Sequence, residues 1–275
     1  MHKYQISYNN KDMLEKKIIL GVGITNATTD KILEYIITGL QKGTKKYYVV
    51  TPNPEILVLA NKNLEYRKIL NEARIALVDG VGIILAGKVL GKSFKQRLTG
   101  VDLLENLCER VSKKPITVGF LGGKGGIADK TAECLRSRYP NLKIAFVGQE
   151  WPQDSSMYQV SSIKYNENKK SYTGIHNTKY LILNTFIDIL FVAFGAPKQE
   201  IWISENLDKL PVRVVIGAGG AFDYVSGRVP RAPLFIRRLG FEWLFRLIVQ
   251  PWRIKRQLAL LEFMFLVLKE KIRPI

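Results

Sequence analysis

Short apolar runs alternate with segments of helical spacing along most of the chain, and this alternation restricts the fold more than any other feature of the sequence. The runs with the length and composition of buried strands are Lys17–Ile24, Tyr47–Val50, Ile75–Val78, Ile116–Leu121, Lys143–Val147, Ile189–Phe194 and Val212–Ile216. Apolar residues at helical spacing, preceded by Thr, Asp, Asn or Pro, predict helices between most of these runs. Such alternation is typical of βαβ units with right-handed crossovers. We therefore predict an α/β fold with a mostly parallel sheet flanked by helices.

The last six of these predicted strands are each followed by a polar residue or a glycine. These residues are Thr51, Asp79, Gly122, Gly148, Gly195 and Gly217. Open α/β sheets bind ligands at the carboxyl ends of their strands, which share one edge, so this convergence favours a ligand site. Asp79 is the one carboxylate among the six. The alternative for Asp79 is a cap for the helix predicted from Val81 to Leu90.

The net charge of +18 on 275 residues predicts polyanionic partners, which are nucleic acid, anionic lipid or a phosphorylated substrate. His2 and His176 are the only histidines, which argues against a histidine metal site and a Ser-His-Asp triad. Cys108 and Cys134 fall in predicted helices without CxxC spacing, a pattern typical of small buried residues in a reducing compartment.

The N-terminal segment is polar and lacks the apolar core of a signal peptide. No window reaches the roughly 18 uninterrupted apolar residues that a spanning helix needs. We expect a cytoplasmic protein that can still lie on a membrane surface.

The segment from about residue 231 onward differs in character from the rest. Arg228 to Ile275 contains 11 Lys and Arg residues against three acids, a net charge of +8, and its basic residues are interleaved with aromatic ones. Pro251 is predicted to divide it into two helices. We predict a catalytic domain at 1–230, with a surface insertion at about 155–178, and a helical appendage at 231–275.

Three arginines of this appendage, Arg246, Arg253 and Arg256, would share one broad face if the helix were continuous. A solvated basic face is the plain alternative. The neighbouring aromatic residues instead favour an anionic membrane surface or a bound phosphate. Single-stranded nucleic acid would fit the same pattern.

Two glycine-containing loops could also bind a ligand. Gly123, Gly125 and Ala128 match the dinucleotide-binding pattern G-x-G-x-x-G/A after a strand, and Glu150 lies at a suitable distance for a ribose contact. This loop therefore leaves an NAD(P)-dependent enzyme as one alternative. The positive net charge leaves a second alternative, a basic nucleic-acid-binding protein without catalysis. In FGAPKQE, Gly195 allows a ligand to approach the backbone, whereas the simpler alternative is an ordinary βα turn.

Eight motifs then occur in a single order: TPNPE, VDGVG, QRLTGVDLLE, FLGGKGG, FGAPKQE, GAGGAFDYVSG, RVPRAP and EWLFRLIVQPWRIKR. Together they resemble the WecG/TagA/CpsF glycosyltransferases over roughly residues 18 to 256. The resemblance implies a Rossmann-like α/β catalytic domain with a C-terminal helical appendage that associates with the membrane. The insertion at about 155–178 departs from the family pattern.

The resemblance also implies a reaction. An N-acetylhexosamine, typically N-acetylmannosamine, passes from a UDP-sugar to the C4 hydroxyl of N-acetylglucosamine on undecaprenyl diphosphate, with inversion, in wall teichoic acid or surface polysaccharide synthesis. The expected partners are these two substrates and an anionic membrane surface at the inner face of the plasma membrane. A homo-oligomer is also possible, and no nucleic-acid partner is expected.

By its motifs, the resemblance implies Asp79 as the catalytic base, with Thr51 and Asn53 as polar residues of the pocket. The substrate-binding residues that it implies, taken with the glycines at the strand ends, are Arg97, Gly122, Gly195, Gln199, Asp223, Arg231, Arg246, Arg253 and Arg256.

No cofactor and no metal are expected. The sequence lacks a D-x-D motif, and arginines can stabilise a leaving diphosphate without a metal ion.

Overall fold

The structure, a computed structural model, describes residues 14–148 and 186–272, and for residues 255–257 it describes the backbone alone. The predicted insertion at about 155–178, with His176, lies outside the described residues, as do Glu150 and His2.

A six-stranded parallel sheet forms the centre of the molecule. Its strands are β3 (Tyr47–Val50), β4 (Ile75–Ala76), β5 (Thr117–Gly122), β6 (Lys143–Gly148), β7 (Ile187–Ala193) and β8 (Val212–Gly217). They lie in the order β4-β3-β8-β7-β5-β6, and every pairing is parallel. The predicted α/β class and parallel sheet are confirmed.

The first predicted strand, Lys17–Ile24, is wrong. The segment forms an antiparallel hairpin of β1 (Lys16–Ile19) and β2 (Val22–Thr25), which is a separate two-stranded sheet. Leu20 and Gly21 both have positive φ, at 49° and 76°, as a two-residue type I′ turn requires. The hydrophobic run therefore reverses direction in its middle, and Gly21 and Gly23 were the only residues in it that indicated a turn.

Helices connect and cover the strands. They are α1 (Thr29–Lys42), α2 (Pro54–Lys62), α3 (Leu64–Glu72), α4 (Val81–Val89), α5 (Gly100–Val111), α6 (Ile127–Arg138), α7 (Lys198–Asn206), α8 (Ala221–Val225), α9 (Leu234–Arg238), α10 (Glu242–Val249) and α11 (Ile254–Ile272), with short 3₁₀ turns at Leu207–Lys209 and Pro251–Arg253. Side-chain oxygens of Thr28, Asn53, Asn63 and Thr99 accept hydrogen bonds from the amides three residues further on and so fix the starts of α1, α2, α3 and α5.

The sheet is buried on both faces. Helices α1, α5, α6 and α8 cover one face, and the β1–β2 hairpin with α2, α3, α4, α7 and α11 covers the other. In β7, Phe191 points into the first layer and Leu190 and Val192 into the second, following the two-residue period of a strand. Strands covered on both faces read as continuous apolar runs, which is why they stand out in the sequence.

The C-terminal segment packs onto the second layer. Pro251 separates α10 from α11, so the predicted division at this residue is confirmed. Helix α11 lies against α2 and α4, and its Phe263 and Val267 are buried in the core. None of the helices within 14–148 and 186–272 has the length and apolar character to cross a bilayer. The division into domains at residues 230 and 231 stays a prediction.

A buried carboxylate ties α11 to the hairpin. Glu270 accepts hydrogen bonds from the Leu20 backbone N–H at 2.8 Å and from Lys92 Nζ at 3.0 Å. Its side chain is 7% exposed. Because Leu20 is the non-glycine residue with positive φ, this contact supports a backbone conformation that L-residues rarely adopt.

We predict that Glu270→Ala lowers the free energy of unfolding by roughly 1–3 kcal/mol, because the buried Leu20 N–H loses its acceptor and the Lys92 ammonium keeps only the Ile18 carbonyl. Urea unfolding followed by circular dichroism measures the change. The matched control is Glu262→Ala on the same helix, whose ion pair with Lys62 at 2.7 Å is solvent-exposed. That variant should lose at most about 1 kcal/mol. Equal losses in the two variants would contradict the anchoring role of Glu270.

Candidate active site

A cavity of about 640 Å³ lies between the carboxyl ends of β3, β4 and β8 and the C-terminal helices. The residues that follow these strands supply one wall, including Asn53, Asp79 and Gly220. Residues of α10, the 3₁₀ turn and α11 supply the opposite wall, including Arg246 and Arg253. The appendage therefore covers a site at the sheet edge.

Only three of the six strand ends reach this cavity. Strands β4, β3 and β8 are neighbours in the sheet, whereas β7, β5 and β6 follow on the far side of β8. Neighbouring strands are about 4.8 Å apart, so an edge of six strands is too long for one small-molecule site. All six ends do lie on the same edge, but of the six predicted residues only Asp79 lines the cavity. Strands β3 and β8 reach it through residues further along their loops, such as Asn53 and Ala218.

Asp79 lies in the turn between β4 and α4 and faces the cavity. The N-cap position of α4 is Gly80, with φ of 89°, and no side chain caps this helix. The alternative of a capping role for Asp79 is therefore wrong. A Cβ atom on Gly82 would lie 2.5 Å from Pro54 Cγ, so glycine at this position lets α4 approach the start of α2 and brings Asp79 and Asn53 to one cavity.

The electrostatic surroundings make Asp79 a stronger base than an ordinary aspartate. Its pKa is raised to about 7, chiefly by burial, with additional repulsion from Glu242 and Asp102. Arg97 and Arg246 act in the opposite direction. Across the described residues, no hydrogen bond or ion pair engages the Asp79 carboxylate. The group can thus accept a proton near neutral pH without first breaking a contact.

The two other residues predicted as catalytic have structural contacts. Asn53 lines the cavity and caps α2, its Oδ1 accepting from the Ile56 N–H at 3.0 Å. Thr51 is buried and donates to the Gly217 carbonyl at 3.2 Å, which joins the ends of β3 and β8. Their catalytic roles stay predictions.

Among the side chains that the structure describes, those of three arginines line the cavity, Arg97, Arg246 and Arg253. Arg97 donates to the Arg237 carbonyl at 3.0 Å. Arg246 pairs with Asp223 at 3.3 Å, and its guanidinium lies 4.8 Å from the centre of the Tyr224 ring. Asp223 therefore holds an arginine that faces the cavity.

A shared helical face of Arg246, Arg253 and Arg256 would need a continuous helix, and the predicted break at Pro251 rules that out. Arg246 belongs to α10, Arg253 to the 3₁₀ turn and Arg256 to α11, because Pro251 interrupts the helix. Arg246 and Arg253 nevertheless reach the same cavity from different elements. The side chain of Arg256 lies outside the described part of the chain.

Arg231 is surrounded by acidic partners. It pairs with Asp102, with Glu105 at 3.0 Å and with Glu242 at 3.3 Å, and it does not line the cavity. Burial opposes ionisation of Asp102, but hydrogen bonds from Thr99 and Arg231 bring the pKa of Asp102 below its ordinary value. Arg231 thus joins α5 to the start of α10.

Gln199 is fully buried behind the cavity wall. Its Oε1 accepts from the Gly219 N–H at 2.9 Å, and its Nε2 donates to Glu200 at 2.9 Å. It supports the turn that carries Gly220 into the cavity. Gly122 lies against the Phe194 ring, and Gly195 lies in the loop before α7. The substrate-binding roles of these residues stay predictions.

Sequence reasoning missed Glu242, which lines the cavity and raises the pKa of Asp79. One signal could have found it, because Glu242 is the only acid between Asp223 and Glu262 in a strongly basic stretch.

The Tyr66–Glu200 contact at 2.9 Å was also missed. Burial raises the pKa of Glu200 to about 6, and this pair stabilises the packing of α3 against α7.

In residues 14–148 and 186–272, no group of three or more His, Cys, Asp or Glu side chains is arranged to hold a metal ion.

The chain is similar in sequence to curated bacterial proteins over most of its length. The chain is 32% identical over 223 residues to the N-acetylglucosaminyldiphosphoundecaprenol N-acetyl-beta-D-mannosaminyltransferase of Bacillus subtilis (strain 168), covering 81% of this chain and 79% of the relative. Proteins of the same name are 29% identical in Bacillus spizizenii, covering 94% and 93%, and 28% identical in Staphylococcus aureus (strain MRSA252), covering 92% of each chain.

The model of the glycosyl transferase WecG/TagA/CpsF family matches residues 17–275, which includes every element that forms the cavity. The chain belongs to the WecG/TagA/CpsF family of glycosyltransferases.

Proposed function

We propose that this protein is an inverting glycosyltransferase that moves N-acetylmannosamine from a UDP-sugar to the C4 hydroxyl of N-acetylglucosamine on undecaprenyl diphosphate. The names of the relatives support N-acetylmannosamine as the transferred sugar and the lipid-linked N-acetylglucosamine as the acceptor. The product would belong to wall teichoic acid or surface polysaccharide synthesis.

The observation that carries this proposal is the Asp79 carboxylate in a cavity that also contains arginines. An inverting transfer needs one base, which removes the proton of the acceptor hydroxyl while its oxygen attacks the anomeric carbon. Asp79, with a pKa of about 7, is half ionised at neutral pH and binds that proton more tightly than an ordinary aspartate. Asn53, on the same wall, can orient a hydroxyl of either sugar by hydrogen bonding.

The departing group is UDP, whose diphosphate gains negative charge as the bond from the anomeric carbon to oxygen breaks. Arg246 and Arg253 face Asp79 across the cavity and are suited to bind that charge. Asp223 and the Tyr224 ring fix the Arg246 guanidinium before substrate arrives. We propose that these arginines stabilise the leaving group without a metal ion.

The location that we propose is the inner face of the plasma membrane, where the protein binds peripherally. Apolar side chains of residues 231–272 are left on the surface, including Phe235 at 64%, Ile248 at 71% and Trp252 at 72% exposed. Such a surface, with the basic residues around it, suits an anionic membrane or a second copy of the chain.

The alternatives of an NAD(P)-dependent enzyme and a nucleic-acid-binding protein are favoured by no observation, since the Gly123–Ala128 loop lies away from the cavity.

We expect Asp79→Asn to lower kcat by about 10²–10⁴-fold, the usual contribution of a general base.

The same variant should be more stable than the parent at about pH 8. The raised pKa means that the native state holds its proton more tightly than the unfolded state, so stability falls as pH rises from about 4 to about 7 and stays reduced above that. Asparagine removes the buried charge and should recover roughly 1–3 kcal/mol at that pH. Radiolabelled transfer and urea unfolding measure the two effects; wild-type kcat in the variant would refute the assignment of the base.

The pH profile of kcat/KM should rise through about pH 7, because Asp79 must lose its proton before it can act. Glu242→Gln removes a charge that raises this pKa, so the acid limb should move to lower pH by roughly half a unit to one unit. Glu105→Gln is the matched control, because Glu105 contacts the same Arg231 but is not among the groups that shift Asp79. If the acid limb moved in Glu105→Gln and stayed in place in Glu242→Gln, Glu242 would not be a group that raises the pKa of Asp79.

Transfer should continue unchanged in EDTA, because arginines meet the charge of the departing diphosphate. Initial rates are compared with EDTA alone, and with Mg²⁺ or Mn²⁺ supplied in excess of the chelator. A rate that disappears in EDTA and returns with the metal would overturn the metal-independent proposal.

A further inference from the structure

The cavity continues into an apolar groove between α4 and α11. Helix α4 lines it with Leu85, Ala86 and Val89. Helix α11 lines it with Leu260, Phe263, Met264, Val267 and Leu268. The spacing on α11 is three, four, seven and eight residues from Leu260, so these side chains form one continuous helical face. We call this part of the cavity the α4–α11 groove.

The groove leads away from Asp79. Helix α4 begins two residues after Asp79 and extends about 12 Å to Val89, at 1.5 Å per residue. At its far end, Lys271 Nζ donates to the Val89 carbonyl at 2.5 Å, which brings the ends of α4 and α11 together. A molecule that binds along the groove would therefore have one end near the base and the other near the surface.

Apolar side chains remain exposed in this groove. Leu85 is 54% exposed, Met264 59% and Leu268 52%, although all three line the cavity. By contrast, Ala86, Phe263 and Val267 on the same walls are buried and form its floor. The groove is thus a preformed apolar channel that is open to solvent.

We propose that the α4–α11 groove binds the diphosphate-proximal part of the polyisoprenyl chain of the acceptor lipid. This inference rests on the proposed function and deepens it, because it assigns a binding site to the part of the acceptor that does not react.

The order of chemical groups along the cavity supports this occupant. Asp79 and Asn53 suit sugar hydroxyls, the arginines suit phosphate, and the groove suits hydrocarbon. A lipid-linked sugar has these parts in the same order, sugar, diphosphate and hydrocarbon chain. A nucleotide sugar has no hydrocarbon segment. The donor substrate therefore has no group that matches the apolar walls of the groove.

The groove can be tested with two acceptors that share the N-acetylglucosamine diphosphate head group. One carries a farnesyl chain, which is short enough to be used without vesicles, and the other carries a methyl group. We expect the ratio of their kcat/KM values to favour farnesyl in the wild-type protein. Leu85→Asn and Leu268→Asn should each reduce that ratio roughly tenfold, because a polar side chain weakens apolar contact with the chain. Both positions are already exposed, so the substitutions leave the core intact.

Leu261→Asn is the matched control. Leu261 lies on α11 and is 69% exposed, but it faces away from the cavity. Its ratio should equal that of the wild-type protein. If Leu261→Asn lowers the ratio as much as Leu268→Asn does, the whole apolar surface is responsible, as for contact with a bilayer or a second copy of the chain, and the groove proposal is wrong. Wild-type ratios in both groove variants would also overturn it.

A binding measurement separates failure of the groove from failure of the proposed function. Isothermal titration calorimetry should show that farnesyl diphosphate binds more tightly than pyrophosphate, with the negative heat-capacity change of apolar burial. The difference should shrink in Leu85→Asn and persist in Leu261→Asn. If wild-type protein transfers sugar to both acceptors equally and binds both diphosphates equally, the groove proposal alone fails. If it transfers to neither acceptor, the proposed function fails, and the groove proposal fails with it.

Discussion

The packing of α11 against α2 and α4 decides where the candidate site is and what it can bind. Phe263 and Val267 bury into the core, and the rest of the same helical face forms a wall of the cavity. Without that wall, Asp79 would lie on an open sheet edge, where water would screen its neighbours and lower its pKa. One helix–helix interface therefore supplies both the enclosure that makes a strong base and the apolar surface beside it.

Charge around Asp79 is balanced between two acids that raise its pKa and two arginines that lower it. The balance is held by contacts outside the cavity. Arg231 binds Glu242, and Asp223 binds Arg246, so each group near the base has a partner that fixes its position. Burying a carboxylate without a hydrogen-bond donor or a counter-ion is unfavourable. Such a group persists only where the packing around it holds it in place.

The sequence predicts the parallel sheet well, because strands buried on both faces are continuous apolar runs and their ends carry the turn residues. Asp79 is predicted for the same reason. Its neighbours Glu242 and Tyr224 were not predicted, because they reach the cavity through the packing of α8 and α10, which the alternation of strands and helices does not encode. The β1–β2 hairpin was missed because its turn contains Leu20, a residue that rarely adopts positive φ. The break at Pro251 was predicted, but residue spacing does not show that Arg246 and Arg253 reach one cavity from the two sides of that break.

The contact between Leu20 and Glu270 also has a consequence for the order in which the chain can fold. The two residues are 250 positions apart in sequence, yet the hairpin turn takes its hydrogen bond from the last turns of α11. During synthesis the hairpin emerges well before α11, so its hydrogen-bond partner is made much later than the turn itself. Before α11 has packed, Asp79 therefore lies on an open sheet edge, and the enclosed cavity forms only once Glu270 has reached the hairpin.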